Sequence, residues 1–179
     1  MKKLTMEELE RLTVNEYKES EKLPVVIVLD NIRSQHNIGS IFRTGDAFRI
    51  SEIHLCGITA TPPNREIQKT ALGATESVTW KYFESTQISI DLLKSSGYKI
   101  IAVEQVHDSV FITDFKPDKY VKLALIFGNE VHGVDEEILT QCDDFIEIPQ
   151  HGTKHSLNVS VSAGIVIWEI YRKLAHVSP

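Results

Sequence analysis

Apolar residues in this chain fall into short runs separated by polar segments, and the runs differ in period. Val25–Leu29, Tyr98–Val103 and Val121–Phe127 are continuously apolar or nearly so, as strands buried on both faces are. Glu52–Ile58, Ser77–Phe83 and Phe145–Ile148 read as further short strands. Helical spacing recurs between them. Ile38, Ile41, Phe42, Gly45 and Phe48 share one side of a helix over 38–49, with Ser40, Arg43 and Thr44 on another face near its start. Shorter helices fit Glu66–Leu72, ended by Gly73, Ile88–Ser95, stopped at Gly97, and the segment from an Asp135 cap to Gln141. Residues 104–119 read as irregular, with one surface turn. At the N-terminus, the Thr-x-x-Glu of Thr5–Glu8 predicts a capping box, with an amphipathic helix carrying Leu9, Leu12 and Tyr17 to about Ser20.

The last element is the least clear-cut. Val159-Ser160-Val161-Ser162 alternates like a strand, but the spacing of Val161, Ile165 and Trp168 and the length of the run favour a helix from Asn158 to Ala175. It stays apolar around most of its circumference as far as Glu169, so a second buried side is expected, with a subunit interface as its natural partner. Strands alternating with helices give an α/β domain over 24–179, a mostly parallel sheet with helices on both faces, behind a helical extension at 1–23.

Open α/β sheets bind ligands at the carboxyl ends of their strands. Here the most polar strand-end loops follow Leu29, Phe127 and Ile148, each with glycine and uncharged hydrogen-bonding side chains. Three such loops at equivalent positions predict one composite site. The glycine fingerprints of dinucleotide binding and of the phosphate loop are missing, as is the Gly-x-Ser-x-Gly hydrolase elbow.

Composition narrows the picture slightly. With 42% hydrophobic and 25% charged residues the chain is that of a globular protein, and no apolar run is long enough to span a membrane. Two cysteines, Cys56 and Cys142, make no disulfide framework, which points to a reducing cytoplasm, and neither sits in a metal-binding pattern. A net charge of −6 argues against indiscriminate coating of nucleic acid but leaves room for local basic surface, such as Arg33, His36, Arg43 and Arg49, Lys116, Lys119 and Lys122, or His151, Lys154 and His155.

Asn37-Ile38-Gly39-Ser40-Ile41-Phe42-Arg43 resembles the Asn-x-Gly-x-x-x-Arg first motif of the SpoU, or TrmH, class of RNA 2′-O-methyltransferases. Leu125–Gly133 is similar to the second motif of that class, and Ile148-Pro149 through Ser156-Leu157-Asn158-Val159-Ser160 to its third. The three stand in the family's order. The third departs from the commonest form, with Gln150 where methionine is frequent and its own His151–His155 variant. The resemblance implies a SPOUT fold whose C-terminal part forms a deep trefoil knot, S-adenosylmethionine held bent in that knot, and a homodimer. It further implies methyl transfer to a ribose hydroxyl, with transfer RNA preferred to ribosomal RNA, and no metal.

Site roles follow from the same resemblance. Arg43 would anchor RNA phosphate and the attacking oxygen, since a guanidinium is too weak an acid to serve as the base. Asn37 would fix its loop and orient Arg43 or the ribose, or else cap a helix. Glu130 would hold neighbouring loops, or the partner subunit's arginine, rather than lie in solvent. Ser156 and Asn158 would bond within the site or cap the last helix. Gly128, Ile148 and Leu157 would line the cofactor pocket. Two rival readings are a non-catalytic RNA-binding relative, opposed by the presence of Asn37, Arg43, Glu130, Ser156 and Asn158, and a nucleotide-using enzyme outside RNA metabolism.

Overall fold

The computed structural model describes residues 2–5, 8–118 and 122–175. At its centre is a seven-stranded sheet in the order β3-β2-β1-β6-β4-β7-β5. The strands are β1 (Leu23–Asp30), β2 (Ile50–Cys56), β3 (Trp80–Phe83), β4 (Tyr98–Val103), β5 (Val110–Phe111), β6 (Lys122–Phe127) and β7 (Asp144–Glu147). Every pairing is parallel. The expected start of the sixth strand, Val121, lies outside the described residues.

Alternation along β1 shows why its apolar run is continuous. Val25, Ile27 and Leu29 enter one hydrophobic core, while Val26 and Val28 enter the other. The first core packs against α2 (Gln35–Ala47), α3 (Arg65–Ala71) and α7 (Val159–Ala175) through Ile38, Phe42, Ile67, Val166 and Ile170, among others. The second receives Ile90 and Leu93 of α5 (Thr86–Ser95) and Ile138 of α6 (Glu136–Leu139). Helices therefore cover both faces.

Four details differ from the sequence expectation. The N-terminal helix is only α1 (Val14–Glu19), opened by a second capping box between Thr13 and Glu16. Thr5 and Glu8 do exchange backbone-to-side-chain bonds at 2.6 and 3.3 Å, but these close a single turn, and Glu10 then turns left-handed at φ 47°. Leu9 and Leu12 find no core to pack on and stay exposed, whereas Tyr17 is buried. Met6 and Glu7 of the first box lie outside the described residues. The long polar-faced helix starts earlier than expected because Ser34, not Asn37, is its N-cap, accepting from the Asn37 amide at 3.3 Å. Arg43 consequently sits in the third turn of α2 instead of near its start. In place of one strand over 77–83, a short turn of helix, α4 (Ala74–Ser77), precedes β3. Within the irregular 104–119 stretch, Val110–Phe111 adds an edge strand beside β7.

Candidate functional site

The loops after β1, β6 and β7 meet at the carboxyl edge of the sheet. Asn37, in the first turn of α2, joins all three. Its Nδ2 donates to Glu130 Oε1 at 3.1 Å, and its Oδ1 accepts from Asn158 Nδ2 at 3.1 Å. Asn158 occupies the N-cap position of α7, where its Oδ1 accepts from the Ser160 amide at 2.9 Å. One side chain thus caps the helix and holds the first loop.

Glu130 clamps the first loop to the second. Its carboxylate accepts from the amides of Arg33 and Ser34, each at 3.0 Å, besides the bond from Asn37. Partial burial pulls its pKa up, but the bonds from the Arg33 and Ser34 amides, its own amide and Asn37 outweigh it, and the net shift is downward. A carboxyl with a depressed folded-state pKa contributes stability that is present above its unfolded value and lost as pH falls through the folded one. Glu130→Gln is therefore expected to flatten the acid limb of the stability curve below the ordinary glutamate value of 4.5. At neutral pH it should cost only about 1 kcal/mol, since the group is exposed. Urea unfolding of both proteins between pH 3 and 7 checks this, and parallel acid limbs would count against the clamp.

Asn129 completes the second loop, donating to the Asn31 carbonyl at 2.7 Å and accepting from Val131 and His132 amides at 2.9 and 3.3 Å. The sequence reading passed over Asn129 as a separate contributor, although it stands inside the second motif.

Between these loops lies a cavity of about 500 Å³, and Gly128, Ile148, Ser156, Leu157 and Asn158 all line it. Its size suits a nucleoside-scale ligand. Gly128 is required there by backbone approach. A Cβ on it would lie 2.1 Å from the Gly133 carbonyl carbon and 2.1 Å from the Val134 nitrogen. Strand order adds a wall absent from the three-loop expectation. Because β4 lies between β6 and β7, its end, Val103-Glu104-Gln105, also lines the cavity. Glu104 Oε2 accepts from the Val134 amide at 3.0 Å and so pins the far end of the second loop. A sequence pattern that breaks into irregularity after Val103 gives no hint of this.

The charged lining is one-sided. Glu104, Glu130 and Glu147 contribute carboxylates, and among the described residues no lysine or arginine lines the cavity. Such a chamber favours a ligand with positive charge beside apolar surface and offers no fixed cation to a phosphate. Among the described residues, no group of three or more His, Cys, Asp or Glu side chains could hold a metal. The cysteines are poor nucleophiles, because burial pushes the Cys56 thiol up to about 12 and that of Cys142 to about 11.

Arg43 stands apart. It is exposed, its side chain has no hydrogen-bond or ion-pair partner among the described residues, and it does not line the cavity; Asn37 bonds Glu130 and Asn158 instead. Of the histidines near the site, His132 and His155 line the cavity, and His151 stands beyond it. His36 is taken up by Glu66 at 3.0 Å.

The model of the SpoU rRNA Methylase family matches residues 24–168. A Staphylococcus saprophyticus protein assigned to the TrmH family of tRNA/rRNA methyltransferases is 30% identical over 161 residues, 89% of this chain and 63% of that protein. The chain thus spans under two thirds of that relative's length. Among solved structures, the A. aeolicus TrmH/SpoU tRNA modifying enzyme superposes with a TM-score of 0.80 at 25% identity, covering 91% of this chain and 83% of its own. An AdoMet-bound rRNA methyltransferase from Sinorhizobium meliloti gives 0.78 at 26% identity over 91% and 61% of the two chains.

Proposed function

Because the chain belongs to the SpoU rRNA methylase family, we propose that it is an S-adenosylmethionine-dependent RNA methyltransferase acting on a ribose 2′-hydroxyl. The observation that carries the proposal is the cavity. Among the described residues its lysine- and arginine-free lining carries three carboxylates, and Asn37 ties two of its wall residues, Glu130 and Asn158, together. This suits a sulfonium and an ammonium on a nucleoside, and it speaks against a phosphorylated cofactor, which lowers the rival nucleotide-enzyme reading.

When bound, S-adenosylmethionine supplies an electrophilic methyl group. The chain's own work is alignment and charge placement. Gly128 lets backbone approach the cofactor, and Ile148 and Leu157 offer aliphatic surface to its adenine. Ser156, exposed at the rim, and Asn158 are placed to hydrogen-bond the ribose. Arg43 lies outside the chamber as an unpaired cation, available to an RNA phosphate and to the charge developing on the attacking oxygen. Holding the two reactants in line contributes roughly 7–11 kcal/mol in favourable cases. Titration calorimetry of the purified protein with S-adenosylmethionine and its demethylated product tests the reading; absence of binding by both would sink it.

The dimer belongs to the same proposal. Val161, Ile165 and Trp168 form an exposed apolar stripe on α7, opposite the buried Ala163, Val166 and Ile170. Trp168 is 51% exposed and continues into Phe48 and Tyr171, with ring centroids 5.6 and 6.0 Å away. A second copy of the chain is the occupant that would bury this stripe. Trp168→Glu is expected to turn a sedimenting dimer into a monomer, and an unchanged mass would remove α7 from the interface.

A trefoil knot is supported by strand order, since β6 enters between β1 and β4 and β7 between β4 and β5. Transfer RNA is preferred to ribosomal RNA as substrate, in keeping with the tRNA-modifying A. aeolicus structure. Residues 1–23 would act as an extension touching that RNA. Two free cysteines favour a cytoplasmic site, and no described helix is long and apolar enough to cross a membrane.

A further inference from the structure

Beside the cofactor chamber runs a second hollow of about 380 Å³, lined by Phe111, Pro149, His151 and Lys154, among others. Gln105, Glu147, Ile148, Gln150 and His155 line both spaces, so the two adjoin. We propose that this hollow is an RNA subsite that stacks the base of an unpaired nucleotide flanking the target ribose on Phe111 and holds its phosphate at Lys154. The inference rests on the RNA-methylating reading above and adds to it where the strand is gripped.

Three observations carry it. Phe111 belongs to the two-residue edge strand β5, whose register against β7 pairs it with Glu147. Its backbone is fixed on both sides, because the Ile112 amide bonds the Glu147 carbonyl at 2.8 Å and the Phe115 amide bonds the Phe111 carbonyl at 3.1 Å. Its neighbours Ile112 and Phe115 are buried, yet Phe111 itself is 46% exposed. A rigidly mounted, half-bare aromatic ring is what an unpaired base stacks on.

Charge supplies the second observation. Among the described residues the Lys154 side chain has no hydrogen-bond or ion-pair partner, and it brings a cation into the hollow, flanked by His151 and His155. Among the described residues the adjoining chamber is lined by Glu104, Glu130 and Glu147 and by no lysine or arginine. The hollow shares only Glu147 of these and adds Lys154, so its lining is the more favourable of the two for a phosphodiester. The third is position. The wall of the hollow shares Gln105, Glu147, Ile148, Gln150 and His155 with the chamber that Asn158 lines, so a strand seated in it lies beside the proposed methyl-transfer site.

Recognition by stacking is sequence-tolerant, since every base has a π-face, and base-to-aromatic stacks lost on substitution weaken binding roughly 5- to 150-fold. Filter binding of bulk tRNA and of a 12-nucleotide oligouridylate should show that loss for Phe111→Ala and most of it for Phe111→Leu, which keeps the apolar bulk. Phe111→Trp should bind like wild type. Lys154→Ala should reduce the salt dependence of log K by about 0.7, one phosphate contact on a single strand. All four variants should bind S-adenosylmethionine within a factor of two of wild type. If Phe111→Leu and Phe111→Ala bind tRNA as wild type does, the subsite is overturned alone. If they weaken the cofactor as much as the RNA, the hollow is part of the cofactor chamber, and the proposal also falls. Should wild-type protein bind no RNA, the RNA reading falls with it.

Discussion

Arg43→Ala is expected to slow methyl transfer to RNA by about 10²–10³-fold, the size of effect seen when one donor to a developing oxyanion is removed. The same substitution should leave the fold almost untouched. Arg43 is exposed and its side chain has no hydrogen bond or ion pair to lose among the described residues, so its stability change should stay within about 0.5 kcal/mol. It does not line the cofactor cavity, so S-adenosylmethionine affinity should also hold. A slow enzyme with a normal fold and a normal cofactor site is the signature of a group that acts on the RNA side. Arg43→Lys should recover little, because an ammonium cannot make the planar two-bonded contact with phosphate. Single-turnover methylation with labelled cofactor gives the rate, and wild-type turnover in Arg43→Ala would remove the arginine from the mechanism.

The opposite signature is expected at Gly128. A Cβ there would lie 2.1 Å from both the Gly133 carbonyl carbon and the Val134 nitrogen. Neither is the end of a flexible side chain that could swing away. Gly128→Ala must therefore push apart the two backbones that wall the chamber, and Glu104 resists this by holding the Val134 amide at 3.0 Å. Loss of cofactor affinity by more than about 100-fold should accompany a stability loss of about 1–3 kcal/mol, as for other overpacking substitutions. Retained tRNA binding would show that the protein still folds. Unimpaired calorimetric binding of S-adenosylmethionine by Gly128→Ala would mean that the cofactor does not use this chamber.

Much of the fold was legible because burial on both faces leaves a simple trace. β4 runs over the expected residues, and β1, β6 and β7 lie within two residues of their expected bounds. Capping was harder to read. Ser34 and Asn37 are both good cap residues, and only the structure shows that Ser34 takes the role and carries Asn37 into the first turn. The N-terminal helix failed for a related reason. Two Thr-x-x-Glu boxes stand eight residues apart, and the one followed by a residue that reaches the core, Tyr17, is the one that grows. At the site, the three polar loops do meet, through Asn37. What sequence could not convey was lateral strand order. The insertion of β4 between β6 and β7 brings Glu104 into the wall and, with β5, places Phe111 beside it. Those residues lie in a stretch that looked irregular because long-range pairing, not local periodicity, organises it.

The network around Asn37 also ties the chamber wall to the helix that carries Arg43. Glu130 and Asn158 come from the two loops that wall the chamber, while α2, which begins beside them, carries Arg43 about 9 Å further along its axis.

The central claim is tested most directly by incubating the purified protein with tRNA and S-adenosylmethionine, digesting the RNA to nucleosides and identifying the methylated product by mass spectrometry. A nucleoside whose added 14 mass units (about one CH₂,) stay with the ribose on fragmentation is the expected result. A methyl group that stays with the base, or no methylated nucleoside from protein that binds both tRNA and cofactor, would contradict the account.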